Sequence, residues 1–224
     1  TVRPALTAPV VGSDQSICYN TVPGPVTVTT NAGGGTGPFN YQWQSSPDHL
    51  AWTNISGATG TSYQEPSVLT ATKYYRIVAT DAGVPACGSI ESSNYVTVTV
   101  QPALGAPVAS ASQTICYGTA PLQLSATPAT GGTGNFTYRW YSSPNGTTSW
   151  TAIPDAINLT YQPGNLTANN YYKIRAVPVG ILCGYIESNI LTITVQTVPQ
   201  AGAIAADQVI CKDAVPVALT SATN

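Results

Sequence analysis

The chain has 224 residues, a formal net charge of −2 and only 7% charged side chains, against about 25% in an average soluble protein. Its hydrophobic fraction of 43% is ordinary, so Thr, Ser, Asn and Gln must cover the surface in place of ions. With no basic field and no apolar run of the ~18 residues a span requires, neither nucleic acid nor direct membrane insertion is expected.

One set of landmarks appears twice in the same order and begins a third time. Gln15-Ser16-Ile17-Cys18-Tyr19 returns as Gln113-Thr114-Ile115-Cys116-Tyr117 and then as Gln208-Val209-Ile210-Cys211-Lys212. Trp43 and Trp140, Trp52 and Trp150, Tyr74-Tyr75 and Tyr171-Tyr172, and Cys87 and Cys183 keep nearly the same period. Ordered landmarks at one spacing mean tandem copies of a small domain. The division is residues 1–101, 102–196 and the opening of a third copy at 197–224. Thr1 lacks a methionine before it and Asn224 falls early in that third copy, so an excerpt of a longer polypeptide is expected.

Within each copy the pattern alternates with period two and no helical stripe is sustained. After a proline come Val26 and Val28, then in turn Leu122 and Leu124, and Val217 and Leu219, each pair assigned to one face of a strand. A glycine-rich approach (Gly33-Gly34-Gly35-Thr36-Gly37; Gly131-Gly132-Thr133-Gly134) leads into Phe39-x-Tyr41-x-Trp43 and Phe136-x-Tyr138-x-Trp140. A turn follows at Ser45-Ser46-Pro47-Asp48-His49 and Ser142-Ser143-Pro144-Asn145-Gly146, where Asn-Gly is a hairpin signal. Short strands then pass Trp52 or Trp150 and Tyr63 or Tyr161 and reach Tyr74-Tyr75-Arg76-Ile77 or Tyr171-Tyr172-Lys173-Ile174. The last strand points Val96, Val98 and Val100, or Leu191, Ile193 and Val195, inward. About seven strands per copy, with a central Trp and a late Tyr, predict an all-β architecture of tandem immunoglobulin-like β-sandwiches. Proline-bearing connectors, Gln101-Pro102-Ala103-Leu104-Gly105-Ala106-Pro107 and Gln196-Thr197-Val198-Pro199-Gln200, predict an extended, semi-rigid rod.

The cysteines depart from an immunoglobulin proper, which places its second cysteine two residues after the late tyrosine. Cys18, Cys116 and Cys211 open a copy, whereas Cys87 and Cys183 lie near the end of one. Without CxxC or Cys/His spacing a zinc site is not expected, and regular pairs favour disulfides in an oxidising compartment. The expected bonds are Cys18–Cys87 and Cys116–Cys183, stapling the end of each sandwich. Spacing leaves open a link across the junction, Cys87–Cys116 and Cys183–Cys211.

Catalytic chemistry finds little support. The single histidine, His49, falls on a turn whose counterpart is Gly146, so no Ser–His–Asp set is expected. Glu91 and Glu187 recur without a second recurring acid, which argues against a glycosidase pair; a bond to loop amides or a solvated strand start is the simpler role. Calcium wants several carboxylates, and at the junctions only Asp14 and Asp207 align, with Ser112 between them. The glycine-rich stretches open no helix and carry no Walker lysine. No cofactor, metal or catalytic residue is therefore assigned. Trp52 and Trp150 are candidate glycan-stacking residues, with burial over the core as the competing role.

The succession Gly-Gly-Thr-Gly-(Pro/Asn)-Phe-x-Tyr-x-Trp, Ser-Ser-Pro-(Asp/Asn), Trp-Thr-x-Ile, Tyr-Tyr-(Arg/Lys)-Ile and a late Cys-Gly resembles repeats of the SprB-type gliding-motility adhesins, giant surface proteins of Bacteroidota. The resemblance covers Gln15 to Val100, Gln113 to Val195 and the opening of the third copy. It implies export by the type IX secretion system, display at the outer membrane and partnership with the gliding machinery. The functional expectation is a non-enzymatic repeat segment of a cell-surface adhesin filament, its neighbours being further repeats and surface polysaccharide its candidate target. The alternative is a carbohydrate-binding or spacer module of a secreted polysaccharide-degrading enzyme.

Overall fold

The computed structural model describes residues 2–204, 207–218 and 220–222. The first copy contributes nine strands: β1 (Val10–Val11), β2 (Gln15–Ile17), β3 (Val26–Thr30), β4 (Phe39–Ser46), β5 (Thr53–Asn54), β6 (Ser62–Tyr63), β7 (Lys73–Asp81), β8 (Ser89–Glu91) and β9 (Val96–Val100). The second contributes eight: β10 (Gln113–Cys116), β11 (Leu124–Ser125), β12 (Phe136–Ser143), β13 (Thr151–Ala152), β14 (Thr160–Tyr161), β15 (Asn170–Pro178), β16 (Ile186–Glu187) and β17 (Leu191–Gln196). Beyond them, β18 (Ala203–Ile204) pairs with β19 (Ser221–Ala222).

Two sheets face each other in each copy. In the first they run β1-β3-β6 and β2-β9-β7-β4-β5, with β8 added to β7; in the second, β11-β14 and β10-β17-β15-β12-β13, with β16 added to β15. The chain crosses between layers from β3 to β4, back from β5 to β6, and again from β6 to β7. This alternation is the Greek-key order of an immunoglobulin-like sandwich. The opening strand divides between layers: β1 pairs antiparallel with β3, whereas β2 lies parallel to the last strand, β9. The second copy repeats this parallel pairing of β10 with β17.

Period-two alternation accounts for the burial. On β7, Tyr75, Ile77 and Ala79 are buried while the residues between them are more open, and β15 repeats this with Tyr172, Ile174 and Ala176. Each copy closes its own core. One joins Val11, Val26, Trp43, Tyr75, Ile77, Val96 and Val98; the other joins Leu124, Trp140, Tyr172, Ile174, Leu191 and Ile193; they share no residue. Trp43 and Trp140 are fully buried, and each indole N–H donates to a backbone carbonyl, Gly60 at 2.9 Å and Asn158 at 3.0 Å. Burial pushes the Tyr172 hydroxyl up to about 12, with Tyr161 adding to the shift.

Three local expectations change. Leu122 is 79% exposed and precedes its strand, so it does not share an inward face with Leu124. Its amide and carbonyl are bracketed by the Gln113 side chain, and Gln208 brackets Val217 in the same way. The true equivalents are Val26 and Leu124, both buried; Leu219 lies outside the described residues. Asn145-Gly146 does not make a two-residue hairpin. The Asn145 carboxamide oxygen accepts from the Thr147 and Thr148 amides, and the Asp48 carboxylate does the same for Leu50 and Ala51. These are Asx turns, favoured because the side-chain oxygen mimics a backbone acceptor. Finally, Glu91 and Glu187 form ion pairs and do not bind loop amides: Glu91, itself exposed, pairs with Arg76, and the less open Glu187 pairs with Lys173 and Arg175.

Candidate functional site: the joint between the copies

The connector between the two sandwiches contains no free residue at its start. The Gln101 amide donates to the Ile17 carbonyl at 2.9 Å, extending the parallel β2–β9 pairing of the first copy. The next residue already belongs to the second copy, because the Pro102 carbonyl accepts from the Gly132 amide at 2.9 Å. Gly105 and Thr130 then exchange amide–carbonyl bonds at 2.9 and 3.0 Å. Proline at 102 costs nothing here, since its carbonyl, not its missing N–H, makes the contact.

This docking explains the glycine-rich stretch. Gly131 has φ +79°, and a Cβ there would stand 1.9 Å from the Ala103 carbonyl oxygen. Gly34, with φ +75°, meets the Ala5 carbonyl oxygen at the same distance, and the Gly35 amide donates to the Pro4 carbonyl. Each glycine-rich loop is thus a seat for the segment leading into its own copy, and only a residue without a side chain leaves room for the carbonyl.

A disulfide closes the same joint. Cys18 of the first copy, one residue beyond β2, is bonded to Cys183 in the late loop of the second. Cys87, Cys116 and Cys211 are exposed free thiols. This corrects the expected pairing inside each copy, and it differs as well from the Cys87–Cys116 and Cys183–Cys211 alternative. The physical reason lies in the joint: β2 and the docked connector leave the first sandwich side by side, so Cys18 reaches the late loop of the next copy and not that of its own. Tyr19, Pro102, Ala103 and Leu104 surround the bond.

A family profile described as Domain of unknown function (DUF8696) matches residues 7–102 and, a second time, 106–197. The chain belongs to the DUF8696 family. No curated protein matches it. Among solved structures it is similar to Drosophila OTK extracellular domains 3–5 (16% identity, TM-score 0.44), covering 87% of this chain and 62% of that one. Titin domains A168–A170 are similar at 13% identity and TM-score 0.48, covering 85% and 68%. A 1.5-MDa bacterial ice-binding adhesin is similar at 13% identity and TM-score 0.42, covering 90% and 68%. The chain spans less than two thirds of the OTK fragment, and 49% of the similar Sidekick-1 immunoglobulin domains 1–4.

The two DUF8696 modules differ away from the joint. In the first, the buried Glu65 accepts from Lys73 and from the Tyr75 hydroxyl, both at 2.7 Å. Burial opposes its ionisation, but those two bonds prevail and hold its carboxyl below the usual range. The second module has Pro163 at that position. Asp81, 2% exposed, accepts from the amides of Thr36, Gly83 and Cys87 at 2.9–3.0 Å, and these donors hold it well below the usual carboxylate range. It ties the late loop to the glycine-rich seat; the second module has Pro178 there. Neither acid was singled out in the sequence, because neither recurs between copies.

The candidate glycan residues stand half-buried on the sheet surface under cations. The Arg76 guanidinium lies 4.6 Å from the Trp52 ring centre, and the Lys173 ammonium lies 4.4 Å from Trp150. Cation–π contact of this kind occupies one face of each indole. A groove of about 560 Å³ on the second module is lined elsewhere, by Phe136, Tyr138, Tyr141 and Tyr185, with Arg175 between Tyr141 and Tyr185. His49 is an exposed turn residue at φ 54°, stacked on Tyr95, and Gly146 takes the same left-handed conformation. No group of three His, Cys, Asp or Glu side chains converges on a metal-sized site among the described residues.

Proposed function

We propose that this chain is a force-transmitting, non-enzymatic segment of a cell-surface adhesin, in which DUF8696 modules are strung into a stiff extracellular filament. The observation that carries the reading is the Cys18–Cys183 bond across the joint. Tension entering from the N-terminal side reaches Cys18, crosses the sulfur bridge and leaves through Cys183. The backbone between them, holding both tryptophan cores, is relieved of load. A disulfide also favours an oxidising, extracytoplasmic setting.

The strand order supports the same reading. β2 and β9 are parallel, as are β10 and β17, and each pair lies at the two ends of its module. Once the sulfur bridge is reduced, pulling the ends of a module apart loads every bond of such a pair in shear at once, whereas an antiparallel pair would open one bond at a time; the parallel pairs thus back up the disulfide. The sequence resemblance to SprB-type repeats extends the proposal to gliding adhesins of Bacteroidota exported by type IX secretion and displayed at the outer membrane.

Single-molecule pulling on the full chain, with handles at both termini, tests this. The bond closes a sequence separation of 165 residues. At up to ~3.6 Å per residue, reduction should release roughly 590 Å of additional extension. Equal extension with and without reductant would remove the bond from the load path. The aromatic groove on the second module favours a second reading, carbohydrate binding. Glycan binding lost in Tyr141→Ala and Tyr185→Ala, with unchanged pulling behaviour, would select it.

A further inference from the structure

The bonded pair takes the opening cysteine of one module and the late cysteine of the next, leaving both opposite halves unused. Cys116 occupies in the second module the place of Cys18 in the first, and its surroundings repeat. Cys18 follows, and Cys116 ends, a strand parallel to the last strand of its module. The carbonyl of each accepts from a threonine three residues on, Thr21 at 2.7 Å and Thr119 at 2.8 Å. Those threonines are bridged to equivalent leucines, Leu69 and Leu166.

The recess beside each cysteine repeats too. Around Cys18 it is lined by Tyr19, Pro102, Ala103, Leu104 and Cys183. Around Cys116 it is lined by Tyr117, Gln196, Thr197, Val198 and Pro199, with no late-loop cysteine in the wall. Cys87 is the mirror case. It precedes Gly88 at φ 97° as Cys183 precedes Gly184 at φ 77°. The segment entering its module is seated alike, Gly35 on Pro4 at 3.0 Å against Gly132 on Pro102 at 2.9 Å.

We propose that the opening cysteine of every DUF8696 module bonds the late-loop cysteine of the module that follows it. Cys116 is then the receiving half for a completed third module, and Cys87 for the opening cysteine of a module in front. The bonds interlock, because residue 116 lies inside the loop closed by Cys18 and Cys183. Each further bond overlaps the previous one, so cutting a single bond leaves the neighbouring joint closed. Formation is a two-electron oxidation: two thiols lose two protons and two electrons to a low-molecular-weight disulfide, which departs as two thiols. The inference rests on the geometry of the joint and not on how much tension it carries.

The test extends the full chain in two ways. One appends residues 130–197 of the second module after Asn224, completing the third; the other duplicates residues 102–196 in place. Each is refolded with glutathione disulfide, alkylated, digested without reductant and mapped. The expected map retains Cys18–Cys183 and adds a bond from Cys116 to the added counterpart of Cys183, with alkylation of Cys116 falling at least tenfold from the unextended chain. Changing the added cysteine to serine should restore that alkylation. Cys116 remaining alkylated in both extended chains, bonding Cys87 or Cys211, or linking separate chains would overturn the proposal. So would displacement of Cys183 from Cys18 by the added cysteine.

Discussion

Gln101 and Pro102 are adjacent in the chain and belong to different modules: the Gln101 amide is bound by Ile17 of the first, and the Pro102 carbonyl by Gly132 of the second. A joint with no slack residue places Cys18 against Cys183 by construction. Inserting Gly-Ser between 101 and 102 should therefore slow bond formation at least several-fold under a glutathione redox buffer. Quenched-oxidation mapping would show it. An unchanged rate would mean that the late loop finds Cys18 without help from the docked connector.

Gly131 and Gly134 separate two costs. Both have positive φ, but a Cβ on Gly134 meets nothing within 4 Å, whereas one on Gly131 strikes the Ala103 carbonyl. Gly134→Ala should cost only the left-handed strain, about 1 kcal/mol. Gly131→Ala should cost more and speed amide exchange at Gly105 and Gly132, because the connector must leave its seat. Calorimetry and hydrogen exchange on the two variants check this.

Asp81 gives a signed pH dependence. Its folded-state carboxyl is held well below the ordinary value of 3.8, so its contribution is present above that value and is lost only as pH falls through the depressed one. Exchange protection at Thr36, Gly83 and Cys87 should survive acidification past pH 3.8. In Asp81→Asn the three amides should exchange faster at every pH, with no acid step of their own. Loss of protection already at pH 5 in the unaltered chain would contradict the assignment.

The two disjoint cores predict separable unfolding. Trp140→Ala should destabilise the second module by about 3–5 kcal/mol, through the cavity and the unpaired Asn158 carbonyl. Near-ultraviolet circular dichroism should still show Trp43 in a fixed environment after the second module has melted. A single merged transition in the reduced variant would mean that the modules fold as one unit.

Most of each sandwich was legible because the information is local. Alternation along Val96-x-Val98 or Leu191-x-Ile193 decides which side chains face the core, and a strand needs no distant partner to show it. The misplacement of Leu122 came from matching Val26 to the first of two leucines, when Leu122 is the residue bracketed by Gln113, as Val217 is by Gln208, two positions before the inward-facing Leu124. Glu65 and Asp81 stayed hidden because each is used in one module alone.

Sequence by itself determined the repeat, its all-β character and part of each core, since period and alternation are properties of neighbours along the chain. Tertiary structure alone decided which cysteines meet and what the glycines are for. Both questions depend on how one module sits against the segment entering the next, a distance in space that no spacing along the chain encodes.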